Sequence, residues 1–250
     1  MDRVVLRSIV IGLVLVGAGV VTAQQAADAA QVVRDIERNE FRFDDVHYKM
    51  KIKLIEGGTT TREIDFEVWA KGDDKMLVKI TAPGEVAGTA ILQLGPRTMY
   101  MYNPEDRSVR LIAASARAQG LLGTDYAAAD ASLVGIGDGW AATVLESTAE
   151  FHKIQLIPDN DDVSPYSKLV VWYDRAEQKG TKIEYYMDGE LAKTIDRGDF
   201  VNDNGYNDIS HVEVTNARAN RVTDIRITDT EVNTGLDDRM FTKRALMLGD

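Results

Sequence analysis

Between Asp45 and Ala70, apolar and charged residues alternate almost one for one. Tyr48, Met50, Ile52 and Leu54 are separated by Lys49, Lys51 and Lys53. After the turn Glu56-Gly57-Gly58, Ile64, Phe66, Val68 and Ala70 alternate with Glu63, Asp65, Glu67 and Trp69. A period of two sends the two sets to opposite faces of a strand. The segment therefore predicts a β-hairpin with one apolar face, and with a lysine row opposite a carboxylate row on the other. Segments of the same kind follow: Met76 to Ala82, Thr89 to Leu94, Thr98 to Tyr102 and Ser108 to Ile112. They resume with Thr143 to Pro158, Lys168 to Tyr173, Thr181 to Met187, Leu191 to Phe200, His211 to Asn216 and Val222 to Asp229. Pro83, Pro96, Pro104, Pro158 and Pro165 fall outside the apolar runs, where a strand tolerates them. A strand about every ten residues predicts one continuous antiparallel sheet, strongly curved or nearly closed. The fold class is mainly β, with a few helices (α+β).

Three stretches depart from that rhythm. Gln24 to Asn39 spaces Ala29, Val32, Val33 and Ile36 three or four residues apart, the pattern of an amphipathic helix. Residues 113–142 are rich in alanine and glycine, and Thr124-Asp125 is placed to cap a helix starting at Tyr126. Small, partly apolar residues between two blocks of strands suit a lid, and they suit equally an ordinary helical connection closing one end of a barrel. The tail from Asp237 to Leu248 reads as a short helix or a last edge strand. No repeat or linker divides residues 24–250, which are expected to form a single domain. Asp159-Asn160-Asp161-Asp162 is the best boundary candidate, and a hairpin tip has the same composition.

Ahead of the helix, Arg3 and Arg7 precede the uncharged apolar run Ser8 to Val21, and small residues end at Ala23. That is the layout of a secretory signal peptide over residues 1–23. The apolar run counts 14 residues (8 to 21), short of the roughly 20 that span a bilayer. An exported, periplasmic protein is expected. The whole chain carries a net charge of −11; residues 1–23 contribute +1 (Arg3 and Arg7 against Asp2), which leaves −12 for the remainder. Such a chain, without a Lys/Arg cluster, is unsuited to nucleic acid and is repelled by anionic lipid headgroups. It has no cysteine, so its core must hold the fold without disulfides.

Candidate chemistry is sparse. His47, His152 and His211 lie in separate predicted strands, without the spacing of a metal pair. No Gly-x-Ser-x-Gly elbow or phosphate-cradling glycine loop occurs. DFVNDNGYND (199–208) misses a calcium loop because Gly205 in sixth place would make Phe200 the first ligand; a turn at Asn204-Gly205 accounts for it. No catalytic residue, metal ligand or cofactor is expected, and the chain is not read as an enzyme.

What remains is adaptable apolar surface. Met76, Met99, Met101, Met187, Trp172, Tyr173, Tyr185 and Tyr186 sit in predicted strands, and methionine and aromatics suit changing partners, though a well-filled β core uses the same residues. The run MLVKITAPGEVAGTAIL (76–92), with Met99-Tyr100-Met101-Tyr102-Asn103-Pro104 and Arg107-Ser108-Val109-Arg110, resembles the LolA-like outer-membrane lipoprotein-sorting family. Gln119-Gly120-Leu121-Leu122-Gly123-Thr124-Asp125-Tyr126 is similar to that family's Gly-Ser-Asp-Phe stretch, with Thr124 for Ser and Tyr126 for Phe. Leu236-Asp237-Asp238 followed by Phe241-Thr242 is similar to its C-terminal signature. The resemblance covers most of residues 40–248. It implies an unclosed antiparallel barrel draped over helices, with an apolar cavity for acyl chains of lipoproteins, phospholipid or another lipid bound for the outer membrane. An inner-membrane exporter is then a candidate partner. No arginine is matched to the one by which some members lock their lid. The residues expected to line the concave face are Phe66, Val68, Val78, Ile80, Leu92, Met99, Met101, Trp172 and Tyr185, with Leu121 and Leu122 from the lid. The alternative is a non-catalytic accessory module of an inner-membrane transporter.

The leader reading carries its own test. Mature protein from the periplasmic fraction is expected to begin at Gln24 on N-terminal sequencing, and intact residues 1–23 in the inner membrane would contradict it.

Overall fold

The computed structural model describes residues 23–40, 42–72, 74–95, 98–113, 116, 119–127, 130, 136–203, 206–216 and 218–248. The expected leader lies outside them except for Ala23. Helix α1 (Ala23–Glu40) comes first. The hairpin follows as β1 (Asp45–Glu56) and β2 (Thr59–Lys71). Then come β3 (Lys75–Ala82), β4 (Ala90–Leu94), β5 (Met99–Asn103) and β6 (Ser108–Leu111). The second block is β7 (Trp140–Ser147), β8 (Phe151–Pro158), β9 (Lys168–Asp174), β10 (Lys179–Met187), β11 (Glu190–Asp203), β12 (Tyr206–Asn216) and β13 (Arg221–Val232). A short helix, α2 (Lys243–Leu248), ends the described chain.

Among the described residues, these thirteen strands form one antiparallel sheet in the order β6-β5-β4-β3-β2-β1-β13-β12-β11-β10-β9-β8-β7. Pairing of β1 with β13 joins the two blocks. The sheet does not close: β6 and β7 follow one another in the chain yet stand at its opposite edges. It is the unclosed barrel that the alternation and the family resemblance predict.

Register bears out the period-two reading. Met50 pairs with Phe66 and Ile52 with Ile64, while Phe66 pairs with Ile80 and Val68 with Val78. These residues enter one inner core with Ile154, Leu156, Val171, Ile183, Ile195, Val214 and Ile225 from the far strands. Helix α1 turns Val32, Val33 and Ile36 into that core. On the outer face the lysine and carboxylate rows meet: Lys51 Nζ is 2.6 Å from Glu63 Oε1 and 2.9 Å from Asp65 Oδ1. A fully buried Ile, Leu or Phe is worth about 1.5–3 kcal/mol, so a chain without cysteine draws its stability from this core.

Strands β3 to β5 are apolar on both faces, because a second core lies outside the sheet. Leu77, Leu92 and Tyr102 are covered there by Phe241 and by Leu246 of α2. This is why the segments at 91–94 and 99–102 do not alternate cleanly.

Asp45 binds the start of the sheet to its end. Its buried carboxylate accepts bonds from the backbone N–H groups of Thr234 (2.8 Å), Gly235 (2.9 Å) and Leu236 (3.0 Å), and from the Thr234 hydroxyl (3.1 Å). Burial alone would raise its pKa, but these bonds outweigh it and hold the carboxyl below the ordinary value. Its folded pKa is thus lower than its unfolded one, so its stabilisation is complete above about pH 4 and is lost as pH falls through the folded value. Asp45→Asn is expected to cost about 1–3 kcal/mol at neutral pH. The gap to wild type should narrow in urea melts at about pH 3.

Candidate functional site

The site begins where α1 ends. A cavity of about 120 Å³ lies between Glu40, the last residue of α1, and the inner faces of β1, β11, β12 and β13. Met50, Met76, Ile195, Val212, Ile225 and Ile227 form its apolar wall, and the rings of Tyr48 and Tyr126 line it too. Burial raises the pKa of both phenols, which stay neutral. An apolar hole of about 150 Å³ holds one benzene. This cavity therefore has room for a ligand of some six carbons, not for a full acyl chain.

One end of this cavity is charged. Glu40, whose side chain is 4% exposed, pairs through Oε1 with Nη2 of Arg197 on β11. Arg197 Nη1 also donates to Gly180 O (3.2 Å), and Lys179 Nζ donates to the Glu40 carbonyl at the end of the helix (3.1 Å). Burial opposes the charge of Arg197, and Glu40 beside it holds the charge on. Asp208 lines the same end; burial pushes its carboxyl up, partly offset by Lys179, while burial pushes Lys179 down. Glu40 Oε2 is buried and accepts no hydrogen bond from the described residues.

The described part of the segment between β6 and β7 folds over the sheet. Leu121–Gly123 makes one 3₁₀ turn, Gly120 bridges to Ala127, and Leu121 and Leu122 pack on the inner core. The turn doubles back so tightly that a Cβ on Gly120 would meet the Thr124 carbonyl oxygen at 1.5 Å. Only glycine fits there. Thr124 and Asp125 cap no helix at Tyr126, contrary to the sequence expectation. The Asp125 carboxylate is instead taken by Arg221 of β13 (Nη2 2.6 Å, Nε 3.1 Å) and Asn216 of β12 (2.5 Å). The Asp125 N–H donates to Thr223 Oγ1 (3.0 Å), and Lys193 Nζ of β11 donates to its carbonyl (3.1 Å). Lys193 also pairs with buried Asp130, which accepts from the Tyr166 hydroxyl (2.9 Å) and the Ala127 N–H (2.6 Å). From β2, the Arg62 guanidinium donates to the Leu122 carbonyl. The cover rests on apolar contacts and is pinned by polar ones.

A model of a family described only as an uncharacterized protein matches residues 72–247. The chain belongs to that family. Solved structures share its fold. A domain named for outer membrane lipoprotein sorting, from Vibrio parahaemolyticus, superposes with a TM-score of 0.80 at 22% identity over 89% of this chain and 99% of its own. A DUF1329 family protein from Desulfovibrio piger gives 0.81 at 19% identity, over 89% and 99%. A LolA superfamily protein from Nitrosomonas europaea gives 0.72 at 22%, over 87% and 98%. The family member described here thus has the LolA-like fold, as its sequence resemblance implied. No curated protein sequence matches it.

The structure divides the residues expected on the concave face. Phe66, Val68, Val78, Ile80 and Tyr185 meet in the inner core, with Leu121 and Leu122 packed on it from the cover. Met99 is buried on the same side of β5 as Met101, which is 40% exposed. Leu92 and Trp172 face the other way. Leu92 lies in the outer core, because its neighbour Ile91 takes the inward position, and period two sends adjacent residues to opposite faces. Trp172 is stacked outside between Lys153 (4.4 Å) and Lys182 (5.3 Å), while Val171 and Tyr173 face inward. None of the eleven lines the cavity at Glu40. Sequence reasoning missed Arg62, Glu40, Asp130, Lys193, Arg197 and Asp208. The signal for two of them was there: Lys193 and Arg197 share strand parity with inward-facing Ile195. The histidines serve elsewhere, His47 with Glu67 (2.8 Å), His211 with Asp224 (2.6 Å) and His152 with Ser147 (2.9 Å). Among the described residues no three potential ligands gather for a metal.

Removing one partner of a buried pair strands the other. Lys193→Met, which leaves the Asp130 carboxyl buried without its cation, is expected to cost about 3–5 kcal/mol in chemical denaturation. The double change Lys193→Met/Asp130→Asn is expected to cost less than that single change.

Proposed function

We propose that the protein is a periplasmic carrier that takes up the acyl chain of a lipid or lipoprotein on the concave face of its open barrel and moves it toward the outer membrane. Residues 24–250 act as one carrier domain exported by residues 1–23, and an inner-membrane exporter is the natural donor. The observation behind this reading is the cover. Leu121 and Leu122 close an apolar interior, yet the segment is held by Arg62, Lys193 and Arg221 across three different strands. The fold shared with a domain named for lipoprotein sorting adds support.

Magnitudes favour exchange. A sixteen-carbon chain left in water costs about 12 kcal/mol at 0.8 per methylene. Leu121 and Leu122 are only half-buried on the core, so leaving it gives up less than the ~3–6 kcal/mol of two fully buried leucines. A chain entering from water therefore displaces them with free energy to spare. Passage from a bilayer is closer to neutral, as a carrier that must also release its cargo requires. The cavity of about 120 Å³ beside Glu40 cannot by itself take the chain, and in this reading the cover moves to admit it.

Leu122→Glu tests this reading because the residue belongs to the cover rather than to a strand. Binding of a pyrene-labelled acyl ester is expected to fall at least tenfold, since a charge would stand where the chain must pack, while the melting temperature stays near that of wild type. No binding by wild type, or equal binding by both proteins at a site that does not involve the cover, would mean the interior is an ordinary core, and the transporter-accessory module would take the carrier's place.

A further inference from the structure

The charged end of the cavity has a property that acyl binding does not require. Glu40 belongs to the cavity wall, its side chain is almost wholly buried, and Oε2 accepts no hydrogen bond from the described residues. A buried acceptor without a partner costs free energy, and a ligand that donates to it recovers that cost. We propose that this cavity is a headgroup site for an uncharged, hydroxyl-bearing lipid of the alcohol or acylglycerol class, whose hydroxyl donates to Glu40 Oε2. The inference rests on the carrier reading and deepens it by naming the cargo's polar end.

Charge balance selects a neutral head. Three carboxyl groups, Glu40, Asp130 and Asp208, are set among three cations, Arg197, Lys179 and Lys193. Arg197 is engaged by Glu40 and Gly180, and Lys193 by Asp130 and the Asp125 carbonyl. A carboxylate or phosphate head would bring a further anion beside Glu40 and Asp208. An ammonium head would add a cation to a set already matched three to three. Either would unbalance that three-to-three set, and an uncompensated buried charge is strongly disfavoured. A hydroxyl adds no charge and supplies the missing donor. The opposite wall, with Met50, Met76, Ile225 and Ile227, suits the first carbons of the chain. Bound water is the rival donor: the cavity has room for it, and it would erase any preference among ligand heads.

The test uses six-carbon probes, which are of the cavity's size, titrated calorimetrically into the exported protein at neutral pH. 1-Hexanol donates and accepts, 2-hexanone only accepts, and hexanoate and hexylammonium carry charge. Hexanol is expected to bind about tenfold more tightly than hexanone, the worth of one hydrogen bond to a charged acceptor, and more tightly than either ion. In Glu40→Gln the amide oxygen stays with Arg197 and an N–H replaces the free oxygen, so the alcohol-to-ketone ratio should fall to about one. The wild-type series decides on its own if that variant does not fold. Equal binding of alcohol and ketone, or tighter binding of hexanoate, overturns the headgroup site while uptake of the pyrene-labelled ester keeps the carrier reading intact. Failure of the ester and all four probes to bind defeats both.

Discussion

Every strand of the sheet must keep its inner side chains from water, and twelve strand-to-strand pairings link the thirteen strands without closing the ring. The missing pairing is between β6 and β7. Because these two are consecutive in the chain, the segment that connects them has to return from one free edge to the other, so connection and cover are the same piece of polypeptide. Its described part carries apolar Leu121 and Leu122 inward and Asp125 and Asp130 toward cations on β11 and β13. A closed barrel would have had a core and no such cover. The open one has an interior whose sealing depends on the segment that connects its two edges.

The second constraint is electrostatic. Lys193 and Arg197 occupy inward positions on β11, on either side of Ile195, where an alternating strand would place apolar residues. Each is answered by a carboxylate from outside the sheet: Asp130 from the cover and Glu40 from the end of α1. Stranding any one of these charges would be costly, so cover, helix and sheet are bound into one arrangement. The pairing of Glu40 uses one carboxylate oxygen and leaves the other without a donor among the described residues. The interior is therefore mainly apolar but chemically polarised, with an apolar wall and one charged end.

Much of the fold was legible because strand alternation is a strong signal wherever one face is wet. Met50, Ile52, Phe66, Val68, Val78 and Ile80 all entered the inner core as their parity required. Legibility ended where both faces are covered. At Ile91-Leu92 and Met99 to Tyr102 the outer core under α2 makes neighbouring residues equally apolar, and nothing local says which faces inward. Trp172 was misplaced for a related reason: a large ring flanked across the sheet by two lysines buries itself outside. The cover was harder still. Thr124-Asp125 has the composition of a helix cap, and only the distant Asn216 and Arg221 reveal Asp125 as an anchor. The cavity's polar end joins residues 40, 130, 197 and 208, which no local pattern connects.

The central claim is that the inner face is a place for lipid chains rather than a finished core. Native mass spectrometry of the protein taken from the periplasm, followed by organic extraction and lipid analysis, tests it most directly. The account predicts a population bearing one chain-containing lipid per protein, released on extraction and enriched over the lipid in control fractions. A protein that carries no lipid as isolated, and stays unliganded after incubation with vesicles of its own membrane lipids, would contradict it.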